Sequence, residues 1–279
     1  MATQFAHTTF QDRPVTTEYA WVGNADADAP VLVFLHEGLG SVSLWRDYPA
    51  QLCAATGLRG LVFSRYGYGQ STPRPASEAW QPDFMHRQAY DAVPAFLQTL
   101  GLWDSARPLW LFGHSDGGSI ALLMASRFPQ HIAGVVAVAP HLFVEEVSLA
   151  SIAAICGSYT GGELSQRLAR HHADPDSAFW GWGNAWLRPE FRTWNIEAEV
   201  AHIQCPVLAV QGVDDEYGTL AQIDHIAQRL PGITQTTLVK LPACGHSPHR
   251  DQPAVLTQHT AAWLLAQGAR PAVSRVFSS

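Results

Sequence analysis

Residues 109–125 read LWLFGHSDGGSIALLMA. The apolar run LWLFGH passes without a linker into a stretch of helical composition, and Gly113, His114, Ser115, Asp116 and Gly117 stand between them as a GxSxG pattern. An unbroken apolar run rich in Trp and Phe suits a strand buried on both faces. A strand that turns at once into a helix strains the backbone of the corner residue, so glycine is needed on either side to avoid clash with neighbouring chain. The stretch therefore predicts a strand, a sharp elbow and a helix. The Ser115 hydroxyl is presented at the sheet edge, near the positive end of the helix dipole.

The same alternation extends in both directions. VLVFLH (31–36) and GLVFS (60–64) precede the elbow as buried strands, and GVVAVAP (134–140), VLAVQG (207–212) and TTLVKLP (236–242) come after it. Helical spacing links Leu44, Trp45, Tyr48 and Leu52, with Gly57 as the C-cap. A second helix covers 85–100, where Ala89, Val93, Phe96, Leu97 and Leu100 share a face and Pro94 predicts a kink. Further helical patterns occupy ALLMASRF, 219–230 and 252–266, and FAHTTF and VTTEYAWV around QDRP predict an early hairpin. Strands alternating with helices imply right-handed crossovers and a mostly parallel sheet with helices on both faces, an α/β fold. From 141 to 203 no buried strand occurs, only helix-compatible segments rich in Trp, Phe, Arg and His. That is too long for a connection. The expectation is an α/β core of residues 1–140 plus 204–279, with 141–203 inserted as a helical cap over the C-terminal ends of the strands.

Composition narrows the function. The 279 residues are 47% hydrophobic and 15% charged, enough for a sizeable core and too few charges for disorder. A net charge of −7, from 24 acidic and 17 basic residues, opposes attraction to nucleic acid or an anionic membrane, so neither is an expected partner. The opening MATQFAHTTFQDRPV has neither a basic leader nor an apolar h-region, and no run of about 18 apolar residues occurs. A soluble cytoplasmic protein is expected. Cys53, Cys156, Cys205 and Cys244 lack CxxC spacing and read as buried free thiols. No metal site is suggested, and His249 and the pair His171 and His172 read as polar surface or cap residues.

A serine hydroxyl is a weak nucleophile at neutral pH and needs a base, which in turn needs an orienting carboxylate. VLAVQGVDDEYG places Asp214, Asp215 and Glu216 just after one strand, and LPACGHSPHRDQP places His246 just after the last. The order Ser, acid, His suits this topology. Attack on a carbonyl also calls for backbone N–H donors aimed at the oxyanion, one of them from Asp116. The Asp116 carboxylate would repel that charge if it faced the site, so it is expected to point away and to benefit from the helix N-terminus.

With HEGLG (36–40), RYGYGQS (65–71), GHSDGG (113–118), GVDDE (212–216) and GHSPHRDQP (245–253) in this order, the chain resembles the α/β-hydrolase superfamily over nearly its whole length. The resemblance implies Asp215, three residues after Gly212, as the acid beside Ser115 and His246, with Asp214 and Glu216 as turn or surface carboxylates. It implies Gly38 as the second oxyanion donor beside Asp116, and His36 and His114 as supports for the loops. Glu37 departs from the usual glycine, either as a local structural choice, which is preferred, or as a carboxylate touching substrate or loop. A serine at the elbow sets the chain apart from haloalkane dehalogenase and epoxide hydrolase relatives, which need Asp there.

The same resemblance implies a serine hydrolase that forms an acyl-enzyme and requires no cofactor. Its expected partner is a small-molecule acyl substrate, a largely apolar or aromatic carboxylic ester or lactone. Acyl-CoA thioesterase and carbon–carbon bond hydrolase are alternatives, as is a ligand-binding protein on the hydrolase fold. Glu37, Leu39, Trp180, Trp182 and Trp186 are the candidate pocket residues, although the tryptophans equally suit packing of cap on core. Arg167, Arg170, Arg188 and Arg192 suit either recognition of a carboxylate or phosphate, or a solvated face.

Overall fold

The structure, a computed structural model, describes residues 2–230 and 236–270. Strands β1 (Gln4–Phe10) and β2 (Arg13–Gly23) form the expected hairpin. Its two-residue turn holds Gln11 and Asp12 at φ of 50° and 58°, as a type I′ turn requires. The buried runs become β3 (Val31–Leu35), β4 (Arg59–Phe63), β5 (Leu109–His114), β6 (Ile132–Val138), β7 (Val207–Gly212) and β8 (Thr236–Leu241). They join one eight-stranded sheet in the order β1-β2-β4-β3-β5-β6-β7-β8. The β1–β2 and β2–β4 pairs are antiparallel and all others are parallel.

Alternation along the strands divides the core in two. Val33, Leu35, Leu111, Val135, Ala137 and Ala209 face one layer, while Leu32, Phe34, Phe112, Val136, Leu208 and Val210 face the other. The second layer is closed by α1 (Tyr48–Thr56), through Leu52 and Cys53, and by the last helix described, through Leu256 and Leu264. The first layer is closed by α2 (Phe84–Arg87), α3 (Val93–Thr99), α4 (Asp116–Arg127) and the helices between β6 and β7.

Two helices differ from expectation. Leu44 and Trp45 belong to a separate 3₁₀ turn (Ser43–Trp45), cut from α1 at Arg46 with φ 54°; Pro49, without an N–H, fixes the first turn of α1 instead. The 85–100 helix is broken by a π turn (Gln88–Ala92) ahead of Pro94. The proline ring excludes the carbonyl of residue 90 from an ordinary helical bond, and the backbone opens to the wider ladder there.

Between β6 and β7 lie α5 (Glu146–Ser158), α6 (Glu163–Leu168), α7 (Pro175–Trp186), a 3₁₀ turn (Pro189–Thr193) and α8 (Glu197–Val200). Their only ladder contact among the described residues is the isolated bridge Phe143–Asn195. Helices α9 (Ala221–Arg229), α10 (Pro248–Asp251) and α11 (Pro253–Ala266) are the remaining helices among the described residues. Cys53, Cys205 and Cys244 are buried and Cys156 is half-buried, all as free thiols. No helix among the described residues is long and apolar enough to cross a membrane.

Candidate active site

Ser115 sits between β5 and α4 at φ 54° and ψ −123°, a conformation that costs about 1–3 kcal/mol for a non-glycine residue and needs surrounding structure to hold it. Its N–H donates to the Val138 carbonyl (2.9 Å), and its carbonyl accepts from Gly118 and Ser119 (2.8 and 3.1 Å). A Cβ at Gly113 would strike the Gly117 carbonyl, and one at Gly117 would strike the Leu35 carbonyl of β3. Both glycines are there for close backbone approach.

Loops after β7 and β8 deliver Asp215 and His246 to this elbow. His246 Nδ1 lies 2.8 and 3.0 Å from the two Asp215 carboxylate oxygens, and its Nε2 lies 2.9 Å from Ser115 Oγ. Since a carboxylate only accepts, Nδ1 carries the proton, and neutral Nε2 receives the serine hydroxyl hydrogen. Asp215 also accepts from the N–H groups of Tyr217 (2.8 Å) and Gly218 (3.3 Å) and from Gln211 Nε2 (3.0 Å). Burial pushes the Asp215 carboxyl up, but the hydrogen bond and charge of His246 and the Tyr217 N–H outweigh it, leaving the group below its usual value. Asp214 is exposed and does not enter this chain of bonds, whereas Glu216 accepts from the His246 N–H (3.1 Å) and braces that loop.

The 36–40 loop crosses in front of Ser115. Buried Arg65, from RYGYGQS, donates through Nη2 to the carbonyls of His36 (3.2 Å) and Glu37 (3.0 Å), and its N–H donates to His36 Nε2 (3.0 Å). His36 Nδ1 donates to the Glu37 carbonyl (2.7 Å), so burial and Arg65 hold His36 neutral, its pKa well below normal. Gly38 leaves no room for a Cβ, which would strike the Trp182 indole of α7. Asp116 opens α4, so its N–H has no acceptor inside the helix and is free to meet a ligand. His114 Nε2 donates to the His246 carbonyl (2.7 Å), and its Nδ1 faces Glu37 Oε2 at 3.5 Å, ion-pair range but long for a hydrogen bond. Glu37 Oε1 accepts from Arg250 Nη2 (3.0 Å). Burial would raise the Glu37 carboxyl, yet His114, Arg250 and His249 together hold it well below the usual range.

The Asp116 carboxyl is buried: Trp186 of α7 supplies a donor to it, indole Nε1 to Oδ1, 3.2 Å, and the residue is among those lining the Ser115 cavity. Burial pushes its pKa up to about 6, against the opposing pull of Arg65, the Trp186 bond and His246. His249, expected as a polar surface or cap residue, is not at the surface. Helix α10 packs it against Trp45 (5.1 Å) and His114 (4.7 Å), with neither ring nitrogen hydrogen-bonded among the described residues. His172 joins the helices between β6 and β7 to the rest of the chain by accepting from the Gly69 N–H (2.9 Å) and donating to the Leu39 carbonyl (3.1 Å).

A cavity of about 320 Å³ opens onto Ser115 and His246. Glu37, Gly38, Leu39, Trp182 and Trp186 line it, together with Asp116. Trp180 does not. It lines a separate cavity with Arg74, Trp80 and Asp176, because on α7 it points about 200° away from Trp182, whereas Trp186 is four residues on and shares the Trp182 face. Among the four arginines between β6 and β7, only Arg167 lines the cavity. The sequence reading missed Arg250, His141, Tyr217 and the aliphatic wall Ile152, Ile155, Leu164 and Leu168. Arg250 was detectable from GHSPHRDQP, four residues after His246 on a short helix, so that its side chain returns toward the loop.

The family model for the alpha/beta hydrolase fold matches residues 30–155, and that for the BAAT / acyl-CoA thioester hydrolase C terminal matches 106–249. The sn-1-specific diacylglycerol lipase of Mus musculus is 31% identical over 126 residues, 45% of this chain and 37% of that protein. The chain spans about a third of the length of the curated relatives it matches (29% and 37%). A thermophilic esterase from Thermogutta terrifontis superposes with a TM-score of 0.73 at 18% identity, covering 96% of this chain and 99% of that one. The enol-lactonase from Burkholderia xenovorans LB400 gives 0.70 at 19% identity, covering 93% and 99%. With the sheet order, the elbow and these two family matches in agreement, the chain belongs to the α/β-hydrolase superfamily.

Proposed function

We propose that this α/β-family hydrolase is a serine hydrolase of small, largely apolar or aromatic carboxylic esters or lactones. The observation that carries the reading is the unbroken bond chain from Asp215 through His246 to Ser115, ending in the cavity. Ser115 Oγ attacks the substrate carbonyl carbon while His246 Nε2 takes the hydroxyl proton, and Asp215 stabilises the imidazolium. The N–H groups of Gly38 and Asp116 receive the negative charge on the carbonyl oxygen. Collapse expels the alcohol, which takes the proton from His246 and leaves an acyl group on Ser115. His246 then deprotonates water, which attacks the acyl carbon and returns Ser115 to its free form. Residues 141–203 act as a cap whose Trp182 and Trp186 wall the acyl site. None of these steps calls on a cofactor.

The test is turnover of p-nitrophenyl acetate and butyrate by wild type and Ser115→Ala, with circular dichroism to verify folding. The variant should lose activity by about a thousandfold or more. Equal rates would overturn the catalytic role and favour a ligand-binding protein on this fold. The match to the acyl-CoA thioester hydrolase model over 106–249 favours a second reading, thioester cleavage by the same residues. Comparing kcat/KM for butyryl-CoA and p-nitrophenyl butyrate separates the two.

A further inference from the structure

We infer that the substrate carries an anionic group, a carboxylate or a phosphate, which Arg167 and Arg250 bind at the mouth of the Ser115 cavity. This rests on reading that cavity as the acyl site. The cavity is divided by chemistry. Ile152, Ile155, Leu168, Trp182 and Trp186 make an apolar wall, whereas Arg167 of α6 and Arg250 of α10 line it as exposed residues.

The two guanidinium groups differ in how they are held. Arg250 is anchored by Glu37 at 3.0 Å, and one bond of this kind fixes its position while leaving other N–H groups of the fork free. Glu37 in place of the family's glycine thus has a use: it positions a cation. Arg167 forms no ion pair or side-chain hydrogen bond among the described residues, although Glu163 stands one turn earlier on the same helix.

The acidic groups lining the cavity are otherwise engaged. Glu37 lies between Arg250 and His114, Glu216 accepts from the His246 N–H, and Asp116 accepts from Trp186. Guanidinium groups gather beside this rim: after burial, Arg170, Arg46, Arg167 and Arg250 lower the pKa of nearby His171. A neutral ester makes no use of these charges, whereas a planar carboxylate or a phosphate matches the guanidinium fork.

The test compares p-nitrophenyl butyrate, mono-p-nitrophenyl glutarate and butyryl-CoA on wild type, Arg167→Gln, Arg167→Lys and Arg167→Gln/Arg250→Gln. Wild type should favour one anionic substrate over the neutral ester: glutarate identifies a carboxylate, the CoA ester a phosphate. In Arg167→Gln the ratio of anionic to neutral kcat/KM should fall about tenfold, through KM and not kcat. The double variant should lose more, and Arg167→Lys should recover part. Added salt should erode the wild-type ratio and leave that of the double variant unmoved. A ratio indifferent to these substitutions, or no wild-type preference, overturns the proposal. Should wild type and Ser115→Ala turn over the neutral ester equally, the acyl-site reading fails separately. Calorimetric binding of glutarate and of inorganic phosphate then decides: about tenfold weaker binding of one of them in the double variant supports the anion site, and unchanged binding of both overturns it.

Discussion

At position 116 a carboxyl group stands next to Ser115 with one oxygen on the Trp186 indole and the other without a partner among the described residues. Its pKa, raised by burial to about 6 from 3.8, means that the folded protein holds a proton there which the unfolded chain has already released. Between about pH 4 and 6 the native state therefore binds more protons than the unfolded state, and stability falls as pH rises through this window. Above pH 6 the full cost of the buried charge is present, on the order of 2–3 kcal/mol. Asp116→Asn keeps an acceptor for Trp186 and removes that cost. It should raise the Tm at pH 8 by several degrees and leave it nearly unchanged at pH 4, measured by calorimetry at both values. A variant that melts lower at pH 8 would mean that the charge is better compensated by Arg65 than its burial indicates.

Helix α7 acts as one rigid element with two faces. Trp182 rests on the Gly38 backbone and Trp186 on the Asp116 carboxylate, so this single helix contacts both proposed oxyanion donors. Adding a methyl group at Gly38 would drive it into the Trp182 ring and shift the loop or the helix. Gly38→Ala should cut kcat for p-nitrophenyl butyrate by about tenfold or more. Gly38→Ala/Trp182→Ala should recover part of the loss, and a double-mutant cycle would expose the coupling; additive losses would sink it. The strands were legible because runs such as VLVFLH and LWLFGH can only be buried on both faces, and the topology then sets the order Ser, acid, His. The face of α7 was not legible. In FWGWGNAW aromatic residues at 179, 180, 182 and 186 fall on more than one side of the helix, so periodicity alone assigns Trp180 and Trp182 no direction, and only the packing against Gly38 does. The π turn before Pro94 was half legible: proline marks a break, but its form depends on the neighbouring turns. The partner of Asp116 was not legible because it lies 70 residues away on another element.

Across the whole molecule, the net charge of −7 and the two guanidinium groups lining the cavity have opposite effects on an anionic ligand: the long-range repulsion is screened, and short-range contacts decide what binds. A second feature at this scale is the set of buried histidines. His36 and His249 are held well below their ordinary pKa, His172 at about 4 and His141 at about 3, each chiefly by burial. All four are neutral in the folded protein, while in the unfolded chain they take up protons near pH 6.5. Below that value the unfolded state binds more protons, so the stabilisation present above pH 6.5 is lost as pH falls. At pH 5 each fully buried ring accounts for up to about 2 kcal/mol of loss, and Asp116 returns about 1 kcal/mol in the opposite sense. Several kcal/mol is a large part of the stability of an ordinary domain. The urea midpoint should therefore drop sharply between pH 7.5 and pH 5. Because His172 and His141 lie where the helices between β6 and β7 meet the sheet and its loops, proteolysis within 141–203 should quicken before the sheet unfolds. Equal urea midpoints at the two pH values would show that these rings gain protons in place. Protonated rings would give His172 no acceptor for the Gly69 N–H and leave the helices between β6 and β7 without that tie to the rest of the chain.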